Sequence, residues 1–261
     1  MHIPFYHVDA FTSRVFAGNP AGVCILERWP GDADLQAIAA ENNLPETAFL
    51  LPDGGGWELR WFSPTTEVAL CGHATLAAAF VLFSRRGVKE PAVRFTTRHS
   101  GRLTVRREGD LLALDFPARP VLGAIGARDL EAALGLLPLE AHTSAEDLLA
   151  VLDSEQTVRR LDPDIAALGR LPCRGVIVTA RGDRCDFVSR FFAPRVGIPE
   201  DPVTGSAHCV LIPYWAAKLG KGSLHAFQVS RRGGELFCEN RGGRVAISGR
   251  AALYLEGTIR L

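Results

Sequence analysis

The sequence predicts a protein of two similar halves, each of which combines β-strands with α-helices. One order of elements occurs twice: helix, strand, hairpin turn, strand, proline-containing loop, glycine-containing turn, buried helix and further strands. In addition, two short motifs recur in register, and 261 residues exceed one average domain but fall short of two. We therefore expect an internal duplication, with a small-molecule pocket at the interface of the halves.

The elements of the first half follow from local patterns. Alternating or β-rich runs predict strands, apolar residues at helical spacing predict helices, and glycine clusters predict turns. A helix that is apolar on all sides should be buried rather than half-exposed. These rules predict strands at 5–10 and 23–26, a helix at 34–43, a hairpin of 47–51 with 57–62, a buried helix at 72–83, and strands at 93–97, 102–107 and 111–116.

The second half repeats these events with different residues. The same rules apply to it, and the helix at its centre is again strongly apolar. The predicted elements are short helices at 130–134, 147–153 and around 164–168, a hairpin of 175–179 with 185–191, a buried helix at 206–219, and strands at 225–230, 235–239, 244–248 and 252–260.

Two aligned motifs carry the evidence for duplication. Arg60-Trp61-Phe62-Ser63-Pro64 parallels Arg190-Phe191-Phe192-Ala193-Pro194, and Cys71-Gly72-His73-Ala74 parallels Thr204-Gly205-Ser206-Ala207. Matching positions in the second pair are 206 − 73 = 133 residues apart. We place the halves at 1–117 and 118–261, and leave open whether the last strand crosses to the first half.

Composition excludes several classes of protein. With 47% apolar and 22% charged residues, the chain is an ordinary globular protein and not a disordered, collagen-like or coiled-coil one. A formal net charge of zero argues against nucleic acid or an anionic membrane as a partner. The six cysteines form no C-x-x-C motif, and the chain shows neither a secretion signal nor a membrane span. We expect a reduced, cytoplasmic protein.

Two glycine-containing turns, at Gly72 and Gly205, each open a buried helix. Free backbone N–H groups at a helix start, together with the helix dipole, favour an anion, and glycine permits its close approach. Tight packing alone would explain either glycine. Their occurrence in register in both halves favours a site that holds a carboxylate or a developing oxyanion.

Four polar side chains complete the candidate site. Glu46 precedes an apolar strand, where partial burial is expected to raise its pKa and suit it to proton transfer, although a solvated loop glutamate is the simpler interpretation. His73, Asp201 and Ser206 lie at the two helix starts, where structural roles are equally compatible with the pattern. Neither a metal-ligand spacing nor a nucleotide-binding motif is present. Chemistry without a metal or cofactor is therefore expected.

The combined motifs resemble the PhzF-like isomerases of phenazine biosynthesis, which have the diaminopimelate-epimerase-like fold. The resemblance spans the whole chain and implies an α+β protein of two pseudo-symmetric β-barrels, each around a central helix, with the active site between them. It implies Glu46 as the acid/base, His73, Asp201 and Ser206 as assisting residues, and Gly72 and Gly205 as carboxylate donors. It also implies a homodimer that moves a proton on a small anionic metabolite similar to dihydro-3-hydroxyanthranilate. The segments that carry the resemblance are 8–12, 18–23, 43–49, 60–64, 67–75 and 200–208.

Two other functions remain open at this point. A two-base racemase or epimerase of the same fold would need a thiol in each half, but Thr204 is the counterpart of Cys71. A non-catalytic protein that binds a small cyclic carboxylate would have little need of Glu46, His73, Asp201 and Ser206 together.

Overall fold

The computed structural model describes residues 1–261, which form six α-helices and eighteen β-strands. The first part of the chain contains β1 (His2–Ala10), β2 (Asn19–Ile25), α1 (Asp32–Asn42), β3 (Glu46–Asp53), β4 (Gly56–Phe62), β5 (Glu67–Val68), α2 (Gly72–Ser84), β6 (Ala92–Thr97), β7 (Arg102–Glu108) and β8 (Leu111–Pro117). The remainder contains β9 (Gly123–Ala124), α3 (Arg128–Leu134), β10 (Glu140–Thr143), β11 (Asp147–Val151), α4 (Glu155–Arg160), α5 (Ile165–Arg170), β12 (Gly175–Arg181), β13 (Phe187–Ala193), β14 (Ile198–Asp201), α6 (Gly205–Leu219), β15 (Ser223–Gln228), β16 (Gly234–Asn240), β17 (Arg244–Gly249) and β18 (Ala251–Arg260).

The chain divides into two compact units. Unit 1 comprises Met1–Asp115 together with Ser248–Leu261, and unit 2 comprises Phe116–Ile247. The first limit lies two residues before the boundary drawn from the sequence. The last strand belongs to unit 1, because β18 pairs along its length with β1.

Unit 1 is a mixed sheet around α2. β1 lies antiparallel between β18 and β2, β2 is parallel to β3, and β3 and β4 form the predicted hairpin. β4 then pairs antiparallel with β5 and parallel with β6, and β6, β7 and β8 continue antiparallel. Helix α2 contacts β1, β2, β3 and β7, so the sheet provides apolar neighbours on several sides of the helix.

Unit 2 repeats these pairings in the same order. β10 is antiparallel to β11, β11 is parallel to β12, and β12 and β13 form the second predicted hairpin. β13 pairs antiparallel with β14 and parallel with β15, which is antiparallel to β16. The shared topology agrees with the internal duplication that the sequence motifs predict.

The central helices are buried, as their composition predicts. Ten of the 13 residues of α2 and nine of the 15 residues of α6 are buried. Helix α6 contains Pro213, which has no N–H to donate to the carbonyl of Cys209 one turn earlier. The backbone N–H of Arg119 donates to that carbonyl instead, at 2.9 Å. The proline therefore leaves no unpaired buried carbonyl in α6.

One predicted element is wrong. The helix expected at 147–153 is strand β11, whose residues pair in parallel with β12. The run Asp147-Leu148-Leu149-Ala150-Val151 is too short for its period to distinguish a helix from a buried strand, and the neighbouring strand decides the outcome. None of the six helices is long and apolar enough to span a membrane.

Candidate active site

Glu46 and His73 form the centre of the candidate site in unit 1. Glu46 is the first residue of β3, and His73 is the second residue of α2. Nε2 of His73 lies 3.1 Å from Oε2 of Glu46, and their side chains are only 7% and 14% exposed respectively. The structure thus brings into contact two of the predicted site residues, which are 27 positions apart (73 − 46).

The other ring nitrogen of His73 faces Asn19, which is not among the site residues predicted from the sequence. Nδ2 of the buried Asn19 lies 3.2 Å from Nδ1 of His73. Asn19 follows a tight turn at Gly18, where φ is +65° and an added Cβ would lie 2.1 Å from the carbonyl oxygen of Ala10. Only glycine fits there, so Gly18 fixes the start of β2 and with it the position of the Asn19 amide.

Cys71 is the third side chain of this cluster. Its Sγ lies 3.5 Å from Nδ1 of His73, and the thiol is buried. Burial, with the nearby Glu46 carboxylate, raises the pKa of Cys71 to about 11, so the group is a neutral thiol at neutral pH. One ligand atom each from Glu46, Cys71 and His73 lies within 4.8 Å of the others, and this N, O and S donor set is one that zinc accepts.

The charges of Glu46 and His73 support each other. Burial raises the pKa of Glu46, but the hydrogen bond and charge of His73, with a contribution from Cys71, hold the net value below the ordinary range. Burial likewise lowers the pKa of His73, but Cys71 and Glu46 raise it well above the ordinary range. At neutral pH Glu46 is therefore a carboxylate, and its contact with His73 favours the protonated form of the imidazole. The raised pKa expected for Glu46 from its sequence context is wrong, because the pattern around Glu46 does not show that His73 contacts it.

In unit 2, Asp201 and the turn that follows it are held by a buried glutamine. The hydroxyl of Thr204 donates to Oδ2 of Asp201 at 2.6 Å. Gln228 accepts a hydrogen bond from the backbone N–H of Thr204 at 2.8 Å and donates to the backbone carbonyl of Asp201 at 2.8 Å. Gln228 is 1% exposed, and it fixes the segment between β14 and α6. No local sequence pattern predicts this contact, because Gln228 lies at the end of β15, far along the chain from Asp201.

Ser206, the second residue of α6, contacts an arginine. Nη2 of Arg174 donates to Oγ of Ser206 at 3.0 Å. Arg174 also forms a two-pronged ion pair with Asp147, whose side chain is 2% exposed. Asp147, Arg174 and Ser206 thus form a continuous polar chain in unit 2.

The two helix starts have the same form. Cys71 precedes Gly72 at the start of α2, and Thr204 precedes Gly205 at the start of α6. Both preceding residues have extended backbone, and neither makes a side-chain capping hydrogen bond to its helix. Apart from the N–H of Ala74, which contacts the Cys71 thiol, the first-turn N–H groups are donors that a helix cannot pair internally and that suit an anion.

A repeated ion pair anchors the strand before each helix start. Arg60 donates from Nε and Nη2 to the two carboxylate oxygens of Glu67 at 2.7 and 2.8 Å. Arg190 donates in the same way to Glu200 at 2.7 and 3.0 Å. Glu67 lies in β5 and Glu200 in β14, the strands that lead into α2 and α6. The two hydrogen bonds of each arginine–glutamate pair hold these strands in place, and with them the positions of Gly72 and Gly205.

The fold of this chain is also found in proteins of low sequence identity. A hydroxyproline epimerase from Agrobacterium vitis shares the fold, with a TM-score of 0.63 and 12% identity over 99% of this chain and 92% of that one. The particular family follows from residues 8–257, which match the PhzC-PhzF family, described as phenazine biosynthesis-like protein. The chain belongs to this family.

Relatives over the full length agree with this assignment. An uncharacterized isomerase from Pseudomonas aeruginosa is 56% identical over 261 residues, which cover the whole of both chains. The crystal structure of a PhzF-family phenazine biosynthesis protein from Enterococcus faecalis has a TM-score of 0.95 and 49% identity, with complete coverage of both chains. The α+β fold of two diaminopimelate-epimerase-like halves is thereby confirmed.

Proposed function

We propose that this protein is an isomerase that moves a proton between carbon atoms of a small carboxylate-bearing metabolite, with Glu46 as the acid and base and without a metal or cofactor. The observation that carries the proposal is the buried contact of 3.1 Å between Glu46 and His73. A substrate similar to dihydro-3-hydroxyanthranilate is the one implied by the resemblance to the isomerases of phenazine biosynthesis, and membership of the phenazine biosynthesis-like family supports it.

The protonation state of Glu46 supports the first step. His73 and Cys71 keep the pKa of Glu46 low against the opposing effect of burial, so the group is a carboxylate that can accept a proton from a substrate carbon. The C–H electrons then move into the conjugated system of the substrate. The same carboxyl group returns the proton to a different carbon, so the reaction consumes no external acid or base.

His73 supports the return step in this proposal. Its Nε2–H donates to the Glu46 carboxylate and holds that group in place while the proton is absent. When Glu46 carries the proton, this charged donor favours release of the proton, because an adjacent imidazolium stabilises the anionic form of a carboxyl group.

A single acid/base also fits the comparison of the two halves. A two-thiol racemase would need paired cysteines at the helix starts, and Thr204 replaces the counterpart of Cys71. The Cys71 thiol itself is protonated at neutral pH because burial raises its pKa to about 11. Proton transfer by one carboxylate does not need a thiolate at either helix start. In this proposal Asp201 and Ser206 assist, and the amides near Gly72 and Gly205 hold the substrate carboxylate.

The experiment that tests the function is the variant Glu46→Gln. We expect it to lower the rate of exchange of substrate C–H protons with deuterated water by about 10²- to 10⁴-fold, the usual contribution of a general acid or base. The substrate is trans-2,3-dihydro-3-hydroxyanthranilate, and deuterium incorporation is followed by NMR. Binding of the substrate should change little, because glutamine preserves the shape of the side chain.

The matched control is Glu41→Gln, which removes the same charge from an exposed position of α1. This variant should exchange protons at the wild-type rate. Full exchange activity in Glu41→Gln together with full activity in Glu46→Gln would show that Glu46 is not the base.

A further inference from the structure

Arg174 uses its guanidinium to connect a buried carboxylate to a residue at a helix start. Its Nε–H donates to Oδ1 of Asp147 at 2.9 Å, and Nη2 donates to Oδ2 of Asp147 and to Oγ of Ser206. Nη2 carries two protons, so the two contacts use both of them. The ring of Phe191 packs 5.4 Å from the guanidinium carbon and limits the movement of the side chain.

This contact determines what the Ser206 hydroxyl can do. A guanidinium has donors and no acceptor, so Ser206 Oγ must accept from Arg174 and cannot donate to it. The hydroxyl proton of Ser206 therefore points to a different partner. Because one lone pair of Oγ is engaged by a charged donor, the hydroxyl is also polarised toward donating its proton in a hydrogen bond.

The repeat places this arginine beside the counterpart of the proposed base. Arg60 pairs with Phe49 across the first hairpin, and Arg190 pairs with Val178 across the second. Because Arg60 and Arg190 are matching positions, Phe49 corresponds to Val178. Three residues earlier in each strand, Glu46 corresponds to Gly175, which directly follows Arg174. Thus each unit places a charged side chain at the start of the same strand, in contact with the second residue of its central helix.

We propose that Arg174 is a positioning residue that fixes the hydroxyl of Ser206 as a hydrogen-bond donor to the substrate carboxylate. This inference rests on the proposed function, in which the start of α6 binds that carboxylate. Asp147 neutralises the charge of Arg174, so orientation of the hydroxyl, rather than net positive charge, is the contribution of the arginine.

The test compares Arg174→Lys with Arg119→Gln. Lysine keeps the positive charge that the buried Asp147 needs, so the variant is expected to fold, but a single ammonium cannot reproduce the fork that reaches both Asp147 and Ser206. Arg119 makes an ion pair with Glu146, which also lies 3.7 Å from Nε of Arg174, and it makes no hydrogen bond to Ser206. It is the control for a change of charge beside Arg174 that leaves the contact between Arg174 and Ser206 in place. Circular dichroism checks that all variants are folded.

Binding of 3-hydroxyanthranilate, measured by calorimetry, gives the first result. We expect Arg174→Lys and Ser206→Ala each to weaken binding about tenfold, the cost of roughly one hydrogen bond to a charged group. The double variant should bind no more weakly than either single variant, since both remove the same interaction. Arg119→Gln should bind as the wild type does. Unchanged binding in Arg174→Lys, or additive losses in the double variant, would overturn the proposal.

Crystal structures of the unliganded wild type and Arg174→Lys give a second result that does not depend on the substrate. We expect one rotamer of Ser206 in the wild type and several in the variant. If Ser206 keeps its single rotamer without Arg174, the positioning role is wrong whatever binds. If the wild type fails to bind the probe but Ser206 loses its rotamer in the variant, the substrate class of the proposed function is wrong, and the role of Arg174 in holding the hydroxyl stands.

Discussion

Nε2 of His73 lies 3.1 Å from Oε2 of Glu46, with both side chains nearly enclosed by unit 1. In such a place burial disfavours the charged form of each group, and their mutual attraction favours it. The net pKa of Glu46 is lowered by the hydrogen bond and charge of His73, and the net pKa of His73 is raised by Cys71 and, to a smaller extent, by Glu46. The ion pair therefore sets the pH range in which Glu46 can act as a base.

The pH dependence of kcat/KM should follow from this pair. Glu46 must be ionised to accept a proton, so the rate should fall only as the pH drops below the ordinary range of a glutamate, through the lowered pKa of Glu46. Loss of the positive charge of His73 should lower the rate again at alkaline pH, through a pKa raised well above 6.5. A plateau of kcat/KM across neutral pH is the expected profile, and an acid limb near neutrality would contradict it.

The variant His73→Phe separates the contribution of the partner from that of burial. Without His73, burial is the largest remaining influence, and it raises the pKa of Glu46. The acid limb of the profile should therefore move to higher pH. Cys71→Ala serves as the comparison, because Cys71 makes the smallest contribution to the lowered pKa of Glu46. The acid limb of the kcat/KM profile should therefore move less in Cys71→Ala than in His73→Phe.

Much of the fold could be predicted because its determinants are local or repeated. The hairpins, the two buried helices and the duplication follow from short patterns that need no knowledge of long-range contacts. The helix expected at 147–153 is wrong because this segment forms strand β11 through its pairing with β10 and β12. Propensity is too weak to decide such a short segment.

The candidate site could be predicted only in part, because local sequence patterns do not show long-range contacts. Glu46, His73, Asp201 and Ser206 lie in distinctive motifs, and the structure places each at a strand end or a helix start. Their neighbours Asn19, Arg174 and Gln228 come from other strands, and no local pattern marks them as partners. The direction of the Glu46 pKa depends on such a long-range contact, so sequence context alone predicted it wrongly.

Arg190 makes a larger contribution to stability than an exposed ion pair does. Besides the fork to Glu200, its Nη1 donates to the backbone carbonyls of Val158 and Leu161, and its side chain is only 12% exposed. Replacing Arg190 with leucine would leave a carboxylate and two carbonyls without their donor. We expect a loss of about 3 kcal/mol in the free energy of unfolding, the usual cost of removing one partner of a buried ion pair.

Urea denaturation followed by circular dichroism measures this change. The control is Arg159→Leu, which removes an exposed arginine from its ion pair with Glu155 one helical turn away, while Glu155 keeps its hydrogen bond from the backbone N–H of Asp183. Ion pairs one helical turn apart contribute about 0.3–0.5 kcal/mol, so the urea concentration at the midpoint of unfolding should change little. Equal shifts for Arg190→Leu and Arg159→Leu would show that the fork does not stabilise unit 2.

His208 should make the protein less stable in mild acid. It is fully buried in α6, and burial lowers its pKa to about 4 while Nδ1 donates to the carbonyl of Thr204 at 2.8 Å. An unfolded histidine has a pKa of about 6.5, so the unfolded state binds more protons between about pH 6.5 and 4. Stability is therefore intact above this window and is lost as the pH falls through it. The expected loss from His208 is about 2 kcal/mol between pH 7 and pH 5.

The variant His208→Asn isolates this effect, because the asparagine amide can still donate to the Thr204 carbonyl but does not titrate. The free energy of unfolding is measured in urea at both pH values for the variant and the wild type. His73 does not contribute to the acid loss, since its raised pKa gives stability that is fully present below about pH 6.5 and is lost only as the pH rises. Carboxylates affect both proteins equally and cancel in the comparison. An equal loss of stability in the two proteins would mean that His208 is not the buried neutral group that destabilises the fold in acid.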